Sequence, residues 1–146
     1  MAAFVSRRGP ELTAAELHDL LRLRVDVFVV EQECPYPEID GLDLLPKTRH
    51  IWQPAENGGV AGYLRLLQEP DGVVRIGRVC TSLPARGSGL GARLMEAALD
   101  HAGEAECVLN AQTYAQGFYA RFGFRPEGDE FDEDGIPHIA MRRSSR

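Results

Sequence analysis

The stretch that most constrains this chain is Arg86-Gly87-Ser88-Gly89-Leu90-Gly91. It follows an apolar run, Val73 to Val79, and it opens a helical pattern, Leu90 to Ala102. The order is strand, glycine-rich turn, helix. Glycines at alternate positions let the backbone take positive φ and come close to a ligand. The first N–H groups of the new helix have no partner within it. With the helix dipole they make an anion site suited to phosphate. Arg86 adds a fixed positive charge at the rim. A merely flexible turn would have the same composition, so the loop alone leaves both readings open.

Two common phosphate loops do not fit. No Lys-Ser/Thr pair follows Gly91, as a P-loop requires. A dinucleotide fingerprint starting at Gly87 needs its third glycine one position beyond Gly91. The chain of 146 residues suits a single domain, 1–146, with a real core. Its formal net charge of −6 argues against nucleic acid or an anionic membrane as partner and permits a cationic substrate. Cys34, Cys80 and Cys107 are odd in number and lack CxxC spacing, which fits reduced thiols in a cytoplasm. No long apolar run follows Arg7 and Arg8, so no signal peptide is expected, and nothing approaches a membrane span. His18, His50, His101, His138 and the cysteines have no ligand-like spacing, so no metal is expected.

Ala2 to Val5 reads as a short first strand. Thr13-Ala14-Ala15-Glu16 has the form of a capping box and starts a helix from about Ala14 to Val29, whose β-branched end should unwind early. The loop from Glu33 to Asp43 is dense in acids: with Glu31 it carries Glu33, Glu38, Asp40 and Asp43. Each of these alone reads as solvated surface; together they suggest a negative lip that attracts an amine. Strands follow at Arg49 to Gln53, Val60 to Gln68 and Val73 to Thr81, with Asn57-Gly58-Gly59 and Pro70-Asp71-Gly72 as turns. Gly103 stops the helix after the loop. Cys107 to Ala111 is a short buried strand, parallel to Val73 to Thr81 across a βαβ unit. Thr113 to Phe122 is a short helix, then Phe124 to Phe131 and Ile136 to Met141 form a hairpin around Asp134-Gly135. The tail, Arg142 to Arg146, is basic and expected to fray.

Two motifs now stand in order. Arg86-x-x-Gly89-x-Gly91 precedes Phe118-Tyr119-Ala120-Arg121-Phe122-Gly123-Phe124 by one helix and one strand. Along nearly its whole length the chain resembles the GNAT N-acetyltransferase superfamily. Arg24 to Gln32, Cys34-Pro35-Tyr36, Asp40-Gly41-Leu42-Asp43 and Glu133 to His138 are similar to the ElaA-type subfamily. The resemblance implies an α+β (mixed α/β) fold. Its sheet would be mixed and mostly antiparallel, of six to seven strands flanked by helices, with a V-shaped split between the fourth and fifth strands. Acetyl-CoA would lie in that split, paired along Val79, Cys80 and Thr81, with its pyrophosphate on Arg86, Gly87, Ser88, Gly89, Leu90 and Gly91. Asn110 and Tyr119 would complete the cofactor contacts.

The implied reaction carries an acetyl group from the thioester directly to a primary amine of a small, cationic acceptor. It needs the amine neutral, the carbonyl polarised and the thiolate protonated. By resemblance Tyr119 is the acid; packing with Phe118 and Phe122 is its structural alternative. The backbone near Val79 is the natural polariser. The base stays open, because the strand Val73 to Thr81 carries Arg75 and Arg78 but no carboxylate. His138 is the first choice, Glu33 and Glu38 the next as base or amine anchor, and a water held by Asn110 is another route. Glu31 and Arg78 are read as substrate contacts, Arg78 either as a residue behind the site or as one that meets a substrate carboxylate. Arg65, Arg75 and Arg78 need acids, which Glu31 or Asp40 could supply. An acyl-homoserine-lactone synthase and a non-catalytic acyl-CoA sensor are the competing readings, and a homodimer through an exposed edge strand is compatible with all of them.

Overall fold

Thr13 starts the first helix by the exchange its spacing implies. Its Oγ1 accepts from the Glu16 N–H at 3.0 Å, and Glu16 Oε1 accepts from the Thr13 N–H at 3.0 Å. This helix, α1, runs Ala14–Arg24. It then continues as a π-helix over Val25–Glu31 rather than unwinding. Four valines crowd that segment, and the wider coil relieves their branched side chains. The computed structural model describes residues 3–145. Ala2 of the expected first strand and Arg146 of the tail lie outside them.

Seven strands form one sheet: β1 (Val5–Arg8), β2 (Arg49–Pro54), β3 (Val60–Gln68), β4 (Val74–Thr81), β5 (Cys107–Gln112), β6 (Arg125–Glu133) and β7 (Ile136–Arg143). Their order is β1-β2-β3-β4-β5-β7-β6. The pair β4–β5 is parallel and the others are antiparallel. The long helix α2 spans Leu90–Ala102 and ends at Gly103, whose φ is 64°. The next helical segment is shorter than its periodicity suggested: a 3₁₀ turn at Thr113–Ala115, then α3 at Gln116–Ala120. Arg142 and Arg143 do not fray but close β7, held by Glu106 and Glu127 in one case and by the Phe122 carbonyl in the other.

Helices cover both faces of the sheet, so β3 is buried continuously from Ala61 to Leu66. On one face Leu20, Leu23 and Val27 pack with Trp52, Tyr63 and Cys80. On the other, Leu90, Leu94, Met95 and Ala98 of α2 pack with Ile51, Leu64, Leu66 and Ile76. Each large side chain buried there contributes about 1.5–3 kcal/mol. The approach is close: a Cβ on Gly62 would stand 2.7 Å from Leu90 Cδ2 and 3.0 Å from Leu94 Cδ1.

The sheet forks where the motif-bearing strands meet. β4 and β5 pair only at Val74↔Cys107 and Arg75↔Val108. Beyond those rungs β4 stays with β3, and β5 stays with β7. A bulge bends β4 at this point. Tyr63 faces Cys80 but Arg65 faces Gly77, so Arg78 and Val79 together oppose Leu64. Arg78 takes the left-handed conformation, φ 55°, that the extra residue demands.

Candidate active site

The fork opens into a cleft of about 600 Å³. β4 lines it with Arg78, Val79, Cys80 and Thr81, and β5 with Leu109 and Asn110. Tyr119 enters from α3, Arg86 from the glycine loop, and Glu31 from the π-helix. His138 closes the far wall. Residues from six separate segments therefore meet around one cavity. The loop residues Gly87 to Gly91 are not part of this lining; they run on from its edge into α2. Cys34, Tyr36, Glu133 and Asp134 also line the cleft. All four fall within the subfamily motifs, and nothing in periodicity marks the hairpin acids as cleft residues.

The acidic loop is not the solvated lip that its composition suggested. Arg24, with no exposed surface, donates through Nε to Glu38 Oε2 at 2.7 Å and through Nη1 to Asp43 Oδ1 at 2.6 Å. Arg65 donates to Asp43 Oδ1 at 3.0 Å and forks onto Asp40 at 3.1 and 2.7 Å. Arg78 Nε shares Glu38 Oε2 at 2.8 Å, and the Tyr36 hydroxyl donates to Glu38 Oε1 at 2.6 Å. Glu38 is 4% exposed, has both oxygens engaged and is not part of the cleft lining, so it is not placed to serve as an amine anchor or base. Asp40 supplies an acid to Arg65 as anticipated, whereas Glu31 pairs with Arg86 at 2.9 Å and Glu69 serves Arg75. Beneath the network His50 Nε2 donates to the Asp43 carbonyl at 2.8 Å and Nδ1 accepts from the Tyr63 hydroxyl at 2.5 Å. Burial holds His50 below its ordinary value, so it is neutral there.

The other anticipated residues divide. Arg86 turns back onto the Thr81 carbonyl, at 3.1 and 3.3 Å, and onto Glu31 rather than standing free at the rim. Glu33 is exposed, has φ 52° and lies outside the cleft. His138 Nδ1 donates to the Ile136 carbonyl at 2.8 Å, which leaves Nε2, 3.3 Å from Glu133 Oε2, as the nitrogen able to exchange a proton. Tyr119 packs edge-on against Phe118 and Phe124, and its hydroxyl has no hydrogen-bond partner among the described residues. Burial first, then Tyr114 and Cys80, push it up to about 12. Among the described residues no group of three or more His, Cys, Asp and Glu is arranged around a metal position, and no helix is long and apolar enough to cross a membrane.

This geometry, a forked sheet with a bulged β4 and a tyrosine across the fork, coincides with a match of residues 24–145 to the family model for the acetyltransferase (GNAT) domain. The chain belongs to the GNAT acetyltransferase family. Within that family it is ElaA-like. Protein ElaA of Escherichia coli is 44% identical over 141 residues, which cover 91% of this chain and 90% of that protein. The crystal structure of E. coli ElaA superposes with a TM-score of 0.91 at 39% identity, over 99% of this chain and all (100%) of the other. An acyl-CoA N-acyltransferase from Pseudomonas aeruginosa superposes with a TM-score of 0.93 at 45% identity, over 99% and 100% of the two chains. A UPF0039 protein of Mycobacterium tuberculosis is 52% identical over 136 residues, 91% of this chain and 87% of that one. This GNAT domain is accordingly an acyltransferase, with the fold expected from the two motifs.

Proposed function

We propose that the protein moves an acetyl group from acetyl-CoA directly to a primary amine of a small acceptor. The observation that carries this reading is the fork. From Ile76 to Thr81 the inner edge of β4 has no neighbouring strand among the described residues, so an extended pantetheine arm can add to it. The glycine loop fits a diphosphate. Gly87 and Gly89 hold φ 79° and 81°, and a Cβ at Gly87 would meet nothing within 4 Å. The first N–H groups of α2, a helix of 13 residues, lie beside them.

Acetyl-CoA supplies the activated acyl group; the chain's own residues do the rest. The backbone at Val79, turned out of the ladder by the bulge, meets the charge that develops on the acetyl oxygen. Tyr119 is a phenol through the physiological range and can give its proton to the departing sulfur. His138 can take the proton of the ammonium at Nε2 and hand it through Glu133, whose side chain is 47% exposed, to solvent. Direct transfer has its own support. Cys80 and Cys34 line the cleft, but burial pushes Cys80 up to about 12 and Cys34 also upward. Thiols held protonated are poor relays for an acyl group.

The test pairs binding with turnover. Acetyl-CoA and CoA, but not ATP, should raise the unfolding midpoint, and an amine panel should release CoA thiol. No shift at saturating acetyl-CoA would remove the reading. A shift without turnover for any amine would make the protein a sensor rather than an enzyme.

A further inference from the structure

We propose that the acceptor amine also carries an oxyanion, in the simplest case the carboxylate of an amino acid or peptide, and that Arg78 holds it. This rests on the acetyltransferase reading and narrows its acceptor.

The acids that suggested a purely cationic acceptor are engaged. Glu38, Asp40 and Asp43 face Arg24, Arg65 and Arg78 in one network, balanced three to three in charge. That network is not balanced in hydrogen bonds. Every guanidinium nitrogen of Arg24 and Arg65 has a partner, save for Arg65 Nε, which is sealed from solvent. Among the other cleft arginines, Arg75 is bidentate on Glu69 through Nε and Nη2, and Arg86 uses the same two nitrogens on Thr81 and Glu31. Arg78 differs. A guanidinium has five N–H groups, and only the Nε–H of Arg78 is hydrogen bonded among the described residues. Asp40 Oδ2 lies 3.6 Å from Nη2, too far for a hydrogen bond. The side chain is 24% exposed and lines the cleft, so its Nη groups are open to a ligand.

Arg78 is also held still. Glu38 anchors its Nε, and the Tyr36 ring lies 5.8 Å from its guanidinium carbon. A fixed fork with free donors is the arrangement that recognises a carboxylate bidentately. The location of Arg78 points the same way. Arg78 is the left-handed residue of the bulge and the immediate neighbour of Val79. Strain of this kind persists where the surroundings over-determine it. Arg78 and Val79 line the same cleft, so an amine tethered to an oxyanion on Arg78 shares that cavity with the acetyl carbonyl at Val79. Glu133 and Asp134, on the hairpin that lines the same cleft, complement the ammonium end.

The experiment compares matched acceptors on the unmodified protein: amino acids and dipeptides against their C-terminal amides, their decarboxylated amines and aminoalkylphosphonates, with simple polyamines beside them. The carboxylate member of each pair should show a kcat/KM about ten- to a hundredfold higher, the worth of a hydrogen bond to a charged group. The amino acid and peptide arms identify the source of the carboxylate, and the phosphonate arm shows whether charge or shape is read. Arg78→Asn, which tolerates the left-handed backbone, should reduce that ratio to about threefold or less while the acetyl-CoA thermal shift is kept. Equal rates within pairs, faster turnover of polyamines, or no turnover of any carboxylate-bearing amine with donor binding intact would overturn the proposal. Loss of donor binding altogether would instead remove the acetyltransferase reading beneath it.

Discussion

Arg24 and Asp43, 19 residues apart in the chain, meet at 2.6 Å with neither side chain more than 7% exposed. Arg24 also holds Glu38, so its removal strands two carboxylates in the interior. Arg24→Met should cost about 3–5 kcal/mol of stability. Urea unfolding monitored through Trp52 fluorescence measures it. A loss below about 1 kcal/mol would mean that the carboxylates find water, and that the loop is less firmly held than its hydrogen bonds indicate.

The same network sets the response to acid. Burial opposes the charge on Asp40, yet the Arg65 hydrogen bonds hold it at about 2 against an ordinary 3.8. Asp43 is held low in the same way, Arg24 and Arg65 outweighing its burial. Burial depresses His50 below 6.5. In all three the unfolded chain binds the proton more readily, so stability rises with pH. It should begin to fall as pH drops through 6.5 and fall more steeply from 3.8 towards 2. Asp40→Asn should be less stable at neutral pH and show a shallower acid limb in the same urea series.

Tyr119→Phe should lower kcat by about 10²–10⁴, the range for a general acid, while acetyl-CoA still raises the unfolding midpoint. With Tyr119 at about 12, turnover should show no descending limb below about pH 10 from loss of this proton. Initial rates across pH in both proteins decide the point. A variant as fast as the parent would return Tyr119 to its packing role beside Phe118.

Gly62→Ala should loosen the fork from behind. The added methyl would lie 2.7 Å from Leu90 Cδ2, and Leu90 and Leu94 have no room to retreat. Overpacking of this kind costs about 1–3 kcal/mol. Because Leu90 starts α2 directly after the glycine loop, acetyl-CoA affinity should weaken as well, which calorimetry would read. An unchanged affinity would separate the loop from the helix it leads into.

Local signals were legible where the physics is local. The Thr13–Glu16 exchange, the Asn57-Gly58-Gly59 turn and the Gly103 stop fixed element ends within a residue or so. The two motifs carried the fork and most of its walls. What escaped is non-local. Glu38 and Asp40 read as a surface charge run because their partners, Arg24, Arg65 and Arg78, stand 14 to 40 residues away. The π-helix escaped for a subtler reason. Seven residues are too few to separate an α from a π period by pattern alone, and the wider coil turns Val27, Phe28 and Glu31 into the cleft. Glu133 was visible only within a subfamily motif, and its contact with His138 depends on the hairpin register.

The two rungs between β4 and β5 carry a mechanical consequence. Through its strands alone, the molecule is a pair of blades joined near one end, four strands on one side and three on the other. An occupant bonded along β4 and touching Asn110 and Tyr119 opposite would act as a spacer and a clasp at once. Amide exchange in Leu109–Gln112 should then slow with donor concentration by more than the uniform slowing that added global stability gives the buried amides of Leu64 and Leu66. Opening of the fork would be the motion that admits the donor, and its rate would set an upper bound on turnover.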